Sequence, residues 1–443
     1  MKRKFITILL ALSCLFVGCL SGCNSTRQTN NREKIPTTTD VLTIDQDKYL
    51  FGLCELSSDI NGGVDVEVDN DFIIGNVKAL GVKSMRVWMH LHNIIRRAPD
   101  SDEISILQGT ADLYHDYFAK LKAAGVERIL VMNHSFIYPV GCPNSDVQCV
   151  PHPIDDRDMY IRFLKLYEKC YELLATEFPE ITYWEPGNEF DMVNGTFLHP
   201  IGWTAGSSNV FTSSEAARIT ADLCWYANRG LQKVDKKNVT VFPGMTMSPT
   251  TATYLEETYQ WIESKKIPTG EEYSDTNTWN YFQICAWHPY PSSTVEAAAD
   301  TCETLYNVMK DHGDGDKKVW ITETGFSEDR FGYDQDRIDA LYKDLLDITK
   351  SRLKFVETLF LFRMTDCYTT PISDYEDHFG LFYAPGDGIN KGKPKPYTET
   401  IYKWFYGENA DTSGLYWYST PQEEKHSVSN LLKQEGLAGT SQC

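Results

Sequence analysis

The stretch Gly125-Val126-Glu127-Arg128-Ile129-Leu130-Val131-Met132-Asn133 ends one kind of structure and begins another. Upstream, residues 110–124 carry apolar side chains at helical spacing, and glycine readily takes the left-handed backbone that closes a helix. Downstream, Ile129-Leu130-Val131-Met132 is an unbroken apolar run of strand length, the pattern of a strand covered on both faces. The same punctuation occurs earlier, where a helix over 69–80 closes at Gly81 and a strand over 82–88 follows.

Outward from these units the alternation continues. Further strands are predicted at 49–54, 181–184, 239–243, 282–288, 318–323 and 356–362. Helices are predicted at 155–177, 213–234, 253–264, 297–310, 334–350 and 397–405; the first of these places Phe163, Leu166, Tyr167 and Leu174 at helical spacing. Eight strand–helix units in strict order predict an α/β protein whose parallel sheet closes into a (β/α)8 TIM barrel. One such domain is expected over 41–407, with 408–443 a polar tail or small appendage.

The first residues read as an export signal rather than fold. Lys2-Arg3-Lys4 precedes the apolar stretch 5–17, which is too short to span a membrane. Leu20-Ser21-Gly22-Cys23 resembles a bacterial lipobox, which implies lipidation at Cys23. Phe16-Val17-Gly18-Cys19 is a weaker second match, and an ordinary secretory signal is the alternative. Residues 24–40, rich in Ser, Thr, Asn and Gln, read as a flexible tether. The expected location is the bacterial cell envelope, facing outward, with the membrane touched only through the lipid.

Charge narrows the partners. With 42 Lys+Arg against 62 Asp+Glu, the net charge of −20 repels nucleic acid, and no basic run offsets it. A monomer is expected. Cys142 and Cys149 bracket a short polar loop and suit a disulfide, whereas Cys54, Cys170, Cys224, Cys285, Cys302, Cys367 and Cys443 are scattered and mostly sit in apolar segments, as buried thiols do. No Cys-x-x-Cys pair or Cys/His cluster suggests zinc.

Two strings carry the chemistry: Trp184-Glu185-Pro186-Gly187-Asn188-Glu189 and Val319-Trp320-Ile321-Thr322-Glu323-Thr324-Gly325. Each ends a predicted strand, the fourth and the seventh, in a glutamate. In parallel barrels the strand C-termini share one mouth, so Glu189 and Glu323 are expected to meet there. A pair of carboxylates at such a mouth is what glycosidic bond cleavage requires. Taken singly, each glutamate is equally a surface or salt-bridge residue.

With glutamates on strands four and seven, the chain resembles the clan A (β/α)8 retaining glycoside hydrolases over about 49–405. The Trp-Glu-x-Gly-Asn-Glu wording is closest to families 39, 51 and 79. The resemblance implies that Glu189 is the acid/base and Glu323 the nucleophile. It implies that Arg86 supports the nucleophile, Asn188 binds the sugar 2-hydroxyl, and Tyr290 touches the nucleophile with His288 beside it. It also implies a polysaccharide or oligosaccharide with β-linkages as substrate, and no cofactor. The bland alternatives are that Arg86 pairs with Glu185 inside the barrel and that His288 is a satisfied core histidine. Trp88, His134, Phe136, Tyr138, Phe190, Phe197, Trp203, Phe326, Phe331 and Tyr333 lie at strand ends or in the loops after them and are candidates to line the sugar.

One departure concerns strand eight. Many clan relatives end it in tryptophan, but here it ends Phe362-Arg363-Met364-Thr365-Asp366, and Arg363 or Asp366 is a candidate to read the sugar instead. The long loops 135–153 and 190–212 are expected to wall the cleft. Two other functions compete. A metal-dependent barrel hydrolase would use His90, His92, His134, His288 and Asp366. A degenerate barrel would capture glycan without cleaving it.

Overall fold

The computed structural model of the protein describes residues 44–55, 70–98, 101–133, 135–137, 149–192, 197–204, 206–264, 276–291, 294–367 and 375–419. Cys23, the tether, His134, Tyr138 and Cys142 lie outside the described residues, and with them the expected lipidation site and loop disulfide.

The barrel strands are Phe51–Glu55 (β1), Ser84–Trp88 (β2), Arg128–Met132 (β3), Tyr183–Glu185 (β4), Val239–Thr240 (β5), Ile284–His288 (β6), Lys318–Thr324 (β7) and Val356–Phe362 (β8). Each is followed by a helix: Asn70–Leu80 (α1), Gln108–Ala123 (α2), Arg157–Glu177 (α3), Ser213–Val234 (α4), Thr251–Glu263 (α5), Val295–Asp311 (α6), Gln335–Ser351 (α7) and Pro396–Tyr406 (α8). Local signals explain several boundaries. Thr212 and Glu215 form a reciprocal capping box at the start of α4, and Pro396 opens α8 where its missing N–H is harmless.

All pairings within the barrel sheet are parallel. The neighbour order runs β6-β7-β8-β1-β2-β3-β4-β5, and a second piece of the fifth strand, Met245–Thr246, pairs with β6 at the other end. The ring is therefore closed by one strand in two pieces. The break falls at Phe242-Pro243-Gly244, where proline cannot donate to a ladder. Two isolated bridges, Asn188 to Gly244 and Val241 to Ile284, hold the broken strand on both sides. The single strand expected at 239–243 is thus shorter at first and then resumes.

Alternate side chains face opposite sides of the sheet. Cys54, Leu130, Tyr183, Val239, Val241, Ile284, Ala286, Trp320 and Phe360 fill the barrel. Their strand neighbours, such as Met85, Val87, Ile129, Val131, Trp184 and Val319, pack against the helices. The base of the barrel is sealed by buried Glu357, which accepts from Lys318 Nζ (2.7 Å) and Trp320 Nε1 (3.0 Å) and pairs with Arg128 (2.8 Å). The opposite mouth is left for chemistry.

Three features lie outside the barrel expectation. An antiparallel ribbon joins Ile95–Arg97 to Ile104–Ile106, and a short parallel pair joins Cys149–Val150 to His199–Pro200. The second joins the end of loop 135–153 to the middle of loop 190–212. Residues 408–419 also belong to the folded body. Trp417 Nε1 donates to Asn76 Oδ1 on α1 at 2.8 Å, and Tyr418 meets Phe72 edge-on with ring centres 4.7 Å apart. Among the described residues, no helix is long and apolar enough to cross a membrane.

Candidate active site

Arg86 stands at the centre of the mouth. It lies on the inward face of β2, is fully buried, and reaches four partners. Its Nε and one terminal nitrogen grip Glu185 at 2.6 and 3.1 Å, a bidentate pair. Its NH1 donates to Glu323 Oε1 at 2.5 Å and approaches Cys54 Sγ at 3.7 Å. Its NH2 also donates to Asn188 Oδ1 at 2.7 Å. Arg86 thus pairs with Glu185 inside the barrel and with Glu323 at the same time.

Glu323 comes from β7, whose register with β8 slips between Ile321 and Thr324. Such an irregularity re-aims side chains, and it accompanies the inward turn of Glu323. The carboxylate is buried, which taken alone would raise its pKa. His288, Arg86 and the Tyr290 hydroxyl outweigh that burial and hold it below the ordinary glutamate value. Tyr290 donates to Glu323 Oε2 at 2.8 Å. Burial, then the charges of Glu323 and Glu189, push the phenol well above its usual range, so it stays a donor.

Glu189 follows β4 across a tight turn. Gly187 takes φ +130°, and a Cβ there would meet the Phe190 ring at 2.0 Å, so only glycine fits. Glu189 itself has φ +50°, an uncommon conformation for a side-chain-bearing residue. Its N–H donates to Gly244 O at 2.8 Å, and its carboxylate meets His288 Nδ1 at 2.8 Å. The other ring nitrogen of His288 lies 3.0 Å from Thr322 Oγ1. Burial opposes the charged imidazolium, but Glu323 and the bond with Glu189 raise the His288 pKa above its usual value.

Oxygens of Glu189 and Glu323 and a ring nitrogen of His288 lie within 4.8 Å of one another. The structure thus gathers Arg86, Asn188, Glu189, His288, Tyr290 and Glu323. Trp88 ends β2 partly buried against the barrel interior.

Other expected residues sit elsewhere. Arg363 is buried and donates to Glu55 Oε1 at 2.9 Å, and Asp366 is buried against Lys395 at 2.7 Å, with Lys395 also pairing Glu328 at 2.8 Å. Each is committed to an interior ion pair. Phe362 takes the strand-eight aromatic position instead, 6.3 Å from the Tyr290 ring and 5.5 Å from Phe379, both edge-on. Phe136, Phe190 and Phe326 are core residues, not platforms. The ligands of the metal reading do not converge among the described residues. His288 groups with the two glutamates, while Asp366 groups with Glu328 and His378. His90 and His92 pair with each other, and burial, then His92, lowers the His90 pKa to about 4.

Three participants escaped the sequence reading. Thr322 and Gly244 lie against His288, and a Cβ on Gly244 would come 2.1 Å from its Nε2. A glycine inside an apolar strand pattern was the available signal of that close approach. Asp191 accepts from Thr246 N–H (2.9 Å), Thr246 Oγ1 (2.6 Å) and Thr251 Oγ1 (2.8 Å). Burial raises its pKa to about 6 against these donors.

No protein-family model and no curated protein matches the chain. Solved structures do. A family 1 β-glucosidase from Thermotoga maritima aligns with TM-score 0.54 and 13% identity, over 84% of this chain and 100% of that one. A double mutant of the β-glucosidase from Trichoderma harzianum aligns with TM-score 0.54 and 14% identity, over 83% and 100%. The fold is a (β/α)8 barrel, shared with these two β-glucosidases. At such identities the likeness carries the fold alone, and it does not select families 39, 51 or 79.

Proposed function

We propose that the chain is a retaining glycoside hydrolase acting on β-linked polysaccharide or its oligosaccharides. One observation carries the reading: two strand-end glutamates approach within 4.8 Å in unlike surroundings. Separations of about 5 Å suit double displacement, whereas inversion needs a wider gap for water.

Glu323, kept ionised by Arg86, His288 and Tyr290, attacks the anomeric carbon. Glu189 protonates the departing oxygen, its carboxyl held by His288 Nδ1 at 2.8 Å. The second ring nitrogen of His288 lies 3.0 Å from Thr322 Oγ1, so the ring is held at both ends. Water, deprotonated by Glu189, then releases the sugar from Glu323. Asn188, its Oδ1 occupied by Arg86, has its amide N–H groups for the 2-hydroxyl.

Replacing Glu323 with alanine is expected to lower turnover of activated aryl β-glycosides by roughly 10⁴-fold or more. Azide should restore it, with the α-glycosyl azide as product. Wild-type turnover in the variant would overturn the assignment.

A further inference from the structure

We propose that Asp191 is a positioning residue that holds the carboxyl of Glu189 in its working place; this rests on the acid/base role of Glu189. Asp191 touches neither of the two glutamates in a hydrogen bond. It acts through a closed circuit of contacts. The Asp191 carboxylate binds the backbone and hydroxyl of Thr246 and the hydroxyl of Thr251, the first residue of α5. Thr246 is the strand partner of His288. His288 in turn holds the Glu189 carboxyl through Nδ1. Two residues of chain, from Glu189 to Asp191, complete the ring.

The circuit answers a local problem. Glu189 has left-handed backbone at φ +50°, which persists only where neighbours enforce it. On its upstream side, the Asn188–Gly244 bridge and the Glu189 N–H to Gly244 O bond fix the peptide. Downstream, Phe190 is buried against Phe136, and Asp191 fastens the chain to the resumed fifth strand. Without Asp191 the downstream contacts among the described residues are the apolar packing of Phe190 and the local turn bond from Met192 N–H to Glu189 O at 3.1 Å, neither of which ties the chain to the fifth strand. The carboxyl can then swing away from His288, and a small displacement of a catalytic group is costly. A plain structural role, stabilising the start of α5, would lower stability without regard to the leaving group.

The test uses that difference. A dinitrophenyl group departs without a proton, whereas a methyl alcohol needs one. kcat/KM is measured on the dinitrophenyl and methyl β-glycosides of whichever sugar the wild type cleaves fastest, with thermal melts alongside. Asp191→Ala should lose about tenfold or more on the methyl glycoside and under about threefold on the dinitrophenyl one, a fraction of the acid-catalytic factor. Asp191→Asn should recover part of the loss, because its amide oxygen still accepts from Thr246 N–H. Thr246→Val, which keeps the backbone donor and removes one hydroxyl, should show a smaller loss of the same selectivity; it decides the matter if Asp191→Ala does not fold. Equal losses on both substrates would overturn the proposal. Failure of the underlying function looks different: Glu189→Ala would then also show no leaving-group selectivity, or the wild type would cleave neither glycoside.

Discussion

Arg86 has to serve two carboxylates. A buried guanidinium must be paired and hydrogen-bonded, and Glu185 and Glu323 together meet that demand. From the sequence the two pairings looked like alternatives, because spacing along the chain does not say how many partners one fork of donors can take. Tyr290 is simpler, with one hydroxyl donated to Glu323. That donation favours the ionised carboxylate, so removing it should raise the Glu323 pKa. In Tyr290→Phe the acid limb of the kcat/KM profile should therefore move to higher pH. An acid limb unchanged from wild type would contradict the arrangement. Arg363 and Asp366 have partners that the sequence did not announce. Their charge suggested ligand contact, but Glu55, Lys395 and Glu328 supply interior partners far away in sequence, which no local pattern reveals.

At the scale of the element, the fifth strand decides the geometry of the mouth. Its two pieces close the ring, and the gap between them lets the His288 ring lie against Gly244. Gly244→Ala should displace that ring, since a Cβ would approach Nε2 to 2.1 Å and Thr322 Oγ1 to 2.7 Å. Overpacking of this kind costs about 1–3 kcal/mol of stability. Activity should fall further, by about 10²-fold, because Glu189 loses its orienting partner. Melting temperature and kcat/KM measured together would show this; full activity in the variant would contradict it. The other barrel strands and all eight helices were legible within about two residues, because each is long or strongly apolar. The resumed piece Met245–Thr246 and the two small ribbons were not. Each is only two or three residues per strand, and long-range pairing rather than local periodicity creates it.

For the whole molecule, strict alternation of strand and helix made the barrel readable, and the barrel in turn brought residues 86, 189, 288, 290 and 323 to one mouth. The identity of the sugar is not written in those elements. Side chains distant in sequence, such as Phe362, Tyr290 and Phe379, meet only once the barrel has closed. The central claim is that Glu323 bonds to the sugar during turnover. A 2-deoxy-2-fluoro β-glycoside with a dinitrophenyl leaving group slows release of the intermediate and traps it for peptide mass spectrometry. One glycosyl adduct on the peptide carrying Glu323 is the expected result. A trapped adduct on any other residue, or turnover of the parent glycoside with inversion and no adduct, would contradict it.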